Sequence, residues 1–380
     1  MNDKKRILVD ENVPDAEHWF GRLGEVRRFK GRELQADALR DADALIVRSV
    51  TQVNEALLAE SRLDFVGTCT IGCDHVDQAL LERRGIGFSN APGCNANSVV
   101  EYVFAALAQL NVNFTTSAFG IVGAGNVGGR LLDRCTALGI SACAYDPLLD
   151  QQDSRLVSLA EVFAQPIVCM HAPLTRDGVF PTYHMIGEEL LDRLPESAVL
   201  ISAGRGPVID NALLLAFKRR RPDVLLVLDV WEYEPWVDPH LLHLAEIGSP
   251  HIAGYSLDGK LAGTRMVFQA MCRHWSMAEW ADSEQFDAAN ATGPLPPLSP
   301  GDWADVREQL LSAYPIADDD ARLRAMVAQA GNETEIKQGF DQLRRSYPER
   351  REFRFHPLPA CGLSDAARQW LHLFGFGQLG

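Results

Sequence analysis

Three short segments carry side chains of types that do chemistry, each directly after an apolar run. The first is Ile201-Ser202-Ala203-Gly204-Arg205-Gly206, an arginine between two glycines. A guanidinium there can fork onto a carboxylate, and flanking glycines would keep the backbone close to a ligand. The second, Leu228-Asp229-Val230-Trp231-Glu232-Tyr233-Glu234-Pro235, sets three carboxylates within six positions. The third, Ser249-Pro250-His251-Ile252-Ala253-Gly254-Tyr255, holds one of ten histidines. A lone histidine is more often a structural hydrogen-bonder than a proton carrier, so His251 is singled out by its company. Imidazole titrates near neutrality and can both take a proton and return it.

A fourth segment points to a cofactor. Gly120-Ile121-Val122-Gly123-Ala124-Gly125-Asn126-Val127-Gly128 sets G-x-G-x-x-G after a strand pattern and before a helical one, whose inner face is Val127, Leu131, Leu132, Cys135 and Leu138. Alone the triplet would be an ordinary tight turn. In this context Gly123 permits the reversal, Gly125 lets the backbone approach a pyrophosphate, and Gly128 lets the helix pack on the strand. Asp146 follows 18 residues after Gly128, at the end of the next strand. A carboxylate there accepts both ribose hydroxyls and repels a 2′-phosphate, so NAD is expected over NADP; the competing role is a cap at the strand end.

Elements that hold such residues are legible in the apolar pattern. Short Val/Ile/Leu-rich runs alternate with amphipathic stretches as far as about residue 255, which predicts parallel sheets with crossover helices. Strands are expected at 6–10, 44–48, 65–68 and 86–89, with helices at 15–23, 54–61 and 75–84. A long helix is expected in 95–113. A second series of strands follows at 119–123, 141–145, 167–170, 198–202, 224–229 and 247–249, the count of a doubly wound dinucleotide fold. The pattern changes at about residue 281. Residues 281–302 carry Pro294, Pro296, Pro297 and Pro300 and read as a linker. Beyond it, helices around 303–313, 319–330 and 333–346 and an alternating strand at 352–355 predict a small α+β unit. Arg344, Arg345, Arg350, Arg351 and Arg354 form a basic stripe there, read first as solvated surface or an interface network, with an arginine reaching a substrate phosphate from a partner subunit as the alternative.

Composition limits the function. The 380 residues suffice for two or three domains, and 51 Asp+Glu against 36 Lys+Arg give a net charge of −15. That argues against nucleic acid and anionic membranes as partners, though a local arginine cluster can still hold a small anion. The eight cysteines show no C-x-x-C pair and read as reduced thiols, and no His/Cys/Asp cluster has ligand spacing, so no metal is expected. The N-terminus lacks a signal-peptide core and no apolar segment is long enough to span a bilayer, so the expected location is the cytoplasm.

Taken in order, Asn90-Ala91-Pro92-Gly93-Cys94-Asn95, the glycine loop, His171-Ala172-Pro173-Leu174-Thr175, Ala203-Gly204-Arg205-Gly206, the Asp229–Pro235 segment and Ser249-Pro250-His251-Ile252-Ala253-Gly254 resemble the D-isomer-specific 2-hydroxyacid dehydrogenases over about residues 5–280. The resemblance implies an α/β fold: a Rossmann-type NAD-binding domain (95–255) and a discontinuous flavodoxin-like substrate domain (1–94 and 256–283). A linker (284–300) and a small α+β C-terminal dimerisation domain (301–380) would follow. It maps the family's catalytic arginine, glutamate and histidine onto Arg205, Glu234 and His251. The expected cofactor residues are Gly123, Gly125, Asn126, Val127, Gly128, Asp146, Thr175, Ala203, Asp229 and Gly254. The chemistry agrees: a base takes the hydroxyl proton as hydride leaves carbon 2, with Glu234 orienting His251 and Arg205 on the carboxylate.

Leu8-Val9-Asp10-Glu11-Asn12, Val47-Arg48-Ser49-Val50-Thr51, Phe65-Val66-Gly67-Thr68-Cys69-Thr70 and the Tyr255-Ser256 ending of the histidine segment look most similar to a branch that oxidises a small phosphorylated 2-hydroxy acid and dimerises through its extra C-terminal segment. Ser49, Thr70 and Tyr255 are its expected substrate-binding residues. From spacing alone, Ser49 and Thr70 are equally turn residues, and Tyr255 equally a packing residue. Two alternatives remain at this point: another family member acting on 3-phosphoglycerate, glyoxylate or hydroxypyruvate, or a non-catalytic module that senses NAD.

Overall fold

A computed structural model describes residues 4–277 and 295–377. Of the expected linker, residues 284–294 lie outside the described residues. The chain forms two compact units, Met1–Asn95 with Ser256–Asp287, and Ala96–Tyr255 with Ala288–Gly380.

The first unit is a five-stranded parallel sheet in the order β2-β1-β3-β4-β5, built from β1 (Lys5–Asp10), β2 (Gly24–Phe29), β3 (Ala44–Val47), β4 (Phe65–Thr68) and β5 (Gly87–Ser89). This is the flavodoxin-like order, with its switch point between β1 and β3. All of β3 and β4 is buried, as continuous apolar runs in a sheet covered on both faces should be. The strand that sequence did not predict is β2. It lies at the edge, and Glu25, Arg27 and Arg28 leave only Val26 and Phe29 as apolar signal. Helix Leu257–His274 returns the chain to this unit. Val267, Phe268, Met271 and Cys272 share one core with Ile7, Val9 and Phe65.

The second unit holds a six-stranded parallel sheet, β6 (Ala118–Val122), β7 (Ser141–Tyr145), β8 (Ile167–Met170), β9 (Val199–Ser202), β10 (Leu225–Leu228) and β11 (Ile247–Gly248), in the order β11-β10-β9-β8-β6-β7. A parallel bridge from Ala144 to Leu156 stands in for one more strand beyond β7. With it the strands follow the 3-2-1-4-5-6 dinucleotide-binding order, and β11 extends the sheet. The switch point lies between β6 and β8.

The C-terminal segment shares its core with this sheet's helices. Trp303 meets Phe114 edge-on at 5.0 Å, and Phe374 meets Phe104 at 4.8 Å, against helix Ala96–Gln109. The expected strand at 352–355 is instead a 3-10 turn at Phe353–Phe355, so the segment is helical and not α+β among the described residues. Alternation fails because Glu352 and Phe353 are both buried, at 2% and 1% exposure. Glu352 accepts a hydrogen bond from Ser98 Oγ (3.2 Å) and pairs with Arg354 (3.0 Å), while the Phe353 N–H donates to Glu101 Oε1 (2.9 Å). Burial, and then neighbouring Glu352, push the Glu101 carboxyl well above its usual range, with Arg350 opposing. Of the eight cysteines, all free, Cys69, Cys135, Cys169 and Cys272 are buried, and Cys361 is exposed.

Candidate active site

The glycine loop leaves the end of β6 at the switch point, where an open parallel sheet binds ligands. Gly123 has φ +85°, and a Cβ there would stand 2.8 Å from the Ala172 backbone. A Cβ on Gly128 would lie 1.9 Å from Gly123 O, so both glycines are dictated by packing. Gly125 is not: its Cβ would project into open space, with no atom within 4 Å. It also caps helix Asn126–Ala137 without a side-chain hydrogen bond. The first-turn amides of Asn126, Val127 and Gly128 therefore face a cradle that a Cβ would fill, fitting the pyrophosphate of NAD. Asp146 sits beside it, accepting from Ala124 N at 3.0 Å and Leu148 N at 3.1 Å. The cap at the strand end is thus present, and each oxygen keeps a lone pair that can accept from a ribose hydroxyl.

A test separates these glycines. Gly125→Ala is expected to leave the melting curve within about 0.5 kcal/mol of the parent, because nothing is displaced. NAD affinity should fall about tenfold or more, because the methyl occupies the cradle. Thermal melts and a fluorescence titration with NAD measure the two; unchanged affinity removes the loop as the pyrophosphate site.

The three carboxylates of the Asp229–Glu234 segment divide into separate tasks. Asp229, 1% exposed beyond β10, accepts from Ser249 Oγ (2.7 Å), Ile252 N (2.7 Å) and Ala253 N (3.0 Å). Burial pushes its carboxyl up, opposed by His251 and by those hydrogen bonds. It anchors the 249–253 loop, as does Arg350 from the C-terminal segment, which donates to Ala253 O at 2.7 Å. Glu232 accepts from Asn211 N (2.8 Å) and lies 2.7 Å from His184 Nε2. Asp210 lies 3.9 Å from Nδ1 of the same ring. His184, Asp210 and Glu232 come together only in the fold, with Nε2 at hydrogen-bond distance from Glu232 and Nδ1 on the side of Asp210.

Glu234 serves His251. Its Oε1 accepts from Trp231 N at 2.8 Å, and its Oε2 stands 2.7 Å from His251 Nδ1. Burial raises the Glu234 carboxyl, but His251 and then Arg344 outweigh it and hold it below the usual range. With Nδ1 engaged, the far nitrogen of a ring that is 29% exposed is left for chemistry. His251 itself has φ +55°, and its N–H donates to Asp229 O at 2.8 Å. The loop thus turns the ring by a left-handed backbone step.

Arg205 follows β9, with Ala203 N donating to Met170 O (3.2 Å) and Arg205 Nη1 to Gly204 O (2.9 Å). Its flanking glycines answer to protein neighbours. A Cβ on Gly204 would lie 2.9 Å from Ala172 O, and one on Gly206 2.0 Å from Trp231 O. Packing alone therefore requires both glycines. Thr175 is exposed and pins its loop through Thr182, whose Oγ1 accepts from Thr175 N at 2.8 Å. Gly254 and Tyr255 close the histidine loop, with Tyr255 N donating to Ile252 O (2.8 Å).

In the first unit, Ser49 and Thr70 each lie two residues beyond the Val47–Thr68 register pair of β3 and β4. Thr70 Oγ1 contacts Thr68 Oγ1 and Gly72 O, both at 2.8 Å. Sequence reasoning passed over His171, which follows β8 and packs its backbone against Gly123 and Gly204. Burial pushes its imidazole down to about 4, opposed by a contact with the Ala203 backbone. Its only sequence signal was membership of the His171–Thr175 motif.

A doubly wound sheet with a dinucleotide cradle and a histidine–carboxylate pair beyond its strand ends is the architecture of an NAD-dependent dehydrogenase. Comparison with known proteins agrees. Residues 101–253 match the NAD binding domain of the D-isomer specific 2-hydroxyacid dehydrogenases, and residues 299–367 match a domain family of unknown function, DUF3410. Erythronate-4-phosphate dehydrogenase of Cellvibrio japonicus (strain Ueda107) is 49% identical, covering 98% of this chain and 99% of its own. The enzyme of the same name from Marinobacter nauticus is 42% identical over 97% and 98%. Two solved structures share the fold. One is NAD+-bound 3-phosphoglycerate dehydrogenase of Entamoeba histolytica (TM-score 0.62, 21% identity, 74% of this chain and 100% of that one). The other is D-lactate dehydrogenase of Aquifex aeolicus with NAD and lactic acid (0.60, 22%, 72% and 96%). The chain belongs to the D-isomer specific 2-hydroxyacid dehydrogenase family, and it is an NAD-dependent oxidoreductase.

Proposed function

We propose that the protein oxidises 4-phospho-D-erythronate to 2-oxo-3-hydroxy-4-phosphobutanoate in pyridoxal 5′-phosphate (vitamin B6) biosynthesis. The observation that carries the chemistry is the 2.7 Å contact of His251 with Glu234; near-full-length similarity to erythronate-4-phosphate dehydrogenases supports the substrate. NAD, when bound, accepts the hydride that leaves carbon 2. His251 takes the carbon-2 hydroxyl proton on its far nitrogen. Glu234 fixes the ring and stabilises the imidazolium that forms. Arg205 binds the carboxylate and draws charge from the reacting oxygen. Asp229 acts on the histidine through the loop it anchors. Ser49, Thr70 and Tyr255 offer hydroxyls to the rest of the substrate.

In this reading the enzyme works as a cytoplasmic homodimer paired through its C-terminal segment, which the resemblance to the branch supports. Among the described residues no helix is long and apolar enough to cross a membrane. A substrate panel tests the proposal, with NADH absorbance followed on 4-phosphoerythronate, 3-phosphoglycerate, glyoxylate and hydroxypyruvate. Preference for the first supports it, and preference for any other overturns it.

A further inference from the structure

Arg344 stands apart from the surface stripe that the sequence suggested. It occupies the last turn of helix Glu333–Arg345, whose Ile336 and Phe340 are buried in the core of the second unit. Its guanidinium carbon lies 5.4 Å from the Tyr255 ring centroid and 5.8 Å from that of Phe340. Tyr347 meets the Tyr255 ring edge-on at 5.8 Å, closing the other side. Glu234 feels the charge directly, since Arg344 helps to keep its carboxyl ionised. Arg344 Nε is buried and has no hydrogen-bond partner among the described residues. One of its donors reaches the Tyr255 hydroxyl, while resting on an aromatic face uses none of the others. This arginine therefore carries positive charge and an unpaired Nε–H to the neighbourhood of the His251–Glu234 pair.

We propose that Arg344 binds the phosphate group of the substrate, making the C-terminal segment a working part of the active site. The inference rests on the substrate reading above. That substrate has two anionic ends, and in the proposed mechanism Arg205 takes the carboxylate. A second arginine of the same unit, held by Tyr255 beside the proton-transfer pair, suits the other end, and a guanidinium matches the oxygen spacing of a phosphate. Arg344 lies in the stretch, residues 299–367, matched by the family of unknown function, and the similarity to erythronate-4-phosphate dehydrogenases covers 98% and 97% of this chain.

Full-length Arg344→Gln and Arg344→Lys enzymes test this, with melting curves and NAD titration reporting whether each is folded. Losing a charged hydrogen-bond donor should raise the KM for 4-phosphoerythronate about ten- to hundredfold in Arg344→Gln, with kcat within about threefold. Lysine should recover part of the loss. Discrimination between 4-phosphoerythronate and unphosphorylated D-erythronate should fall by a similar factor. An unchanged KM overturns the assignment. So does a fall in kcat at constant KM, which would make Arg344 a prop for Glu234. Failure of Arg344→Gln to fold, with Arg344→Lys kinetically identical to the parent, also overturns it. If the unaltered enzyme does not turn over 4-phosphoerythronate, the substrate reading fails and the phosphate assignment with it; turnover with an indifferent Arg344 removes the assignment alone.

Discussion

Replacing His251 with asparagine is expected to lower kcat by roughly 10²–10⁴-fold, the range that a positioned acid–base group supplies. NAD affinity should stay near that of the parent, because the cofactor cradle is built on the loop after β6. Asparagine is the sharper variant. His251 has φ +55°, a backbone region that asparagine tolerates and alanine does not. His251→Ala should lose the same turnover and also melt lower, because the left-handed step costs roughly 1–2 kcal/mol for a residue without local hydrogen bonding. Comparing the two separates lost chemistry from a distorted loop. Steady-state kinetics and melting curves check both, and parental turnover in either variant would remove His251 as the proton acceptor.

Arg205→Lys should cost roughly 10²–10³-fold in kcat/KM. Lysine keeps the charge but loses the planar fork that grips a carboxylate through two parallel bonds. The backbone should hardly notice. Its course is set by Gly204 and Gly206 against Ala172 and Trp231, and neither contact involves the Arg205 side chain. The loss should therefore appear at an unchanged melting temperature. Kinetic constants within about threefold of the parent would mean that another group holds the carboxylate.

How far the sequence revealed these features depended on whether a signal was local. Strands β6 and β8 to β10 were readable because buried parallel strands are largely apolar runs, and β2 was not because an edge strand needs few. The turn at 352–355 was misread because alternation assumes charge faces outward, whereas Glu352 is buried against Ser98, far away in the chain. The Asp229–Glu234 segment announced three carboxylates but not their tasks. Those follow from partners on other elements: Ser249, Ile252 and Ala253 for Asp229, His184 for Glu232, and His251 for Glu234. Glycine motifs gave the cofactor loop by position, yet only the fold separates Gly125, open to a ligand, from Gly204 and Gly206, closed by protein. Arg344 and Arg350 looked like surface because five nearby arginines resemble a solvated stripe. Their inward course appears only once helix Glu333–Arg345 has packed.

The central claim is the reaction itself, and identifying the product tests it most directly. The purified protein would be incubated with 4-phosphoerythronate and NAD and the mixture analysed by mass spectrometry. The expected result is 2-oxo-3-hydroxy-4-phosphobutanoate, two hydrogens lighter than the substrate and formed in step with NADH, and formed roughly 10²–10⁴-fold more slowly by His251→Asn. Unchanged 4-phosphoerythronate, from enzyme that binds NAD and oxidises a different 2-hydroxy acid, would contradict it.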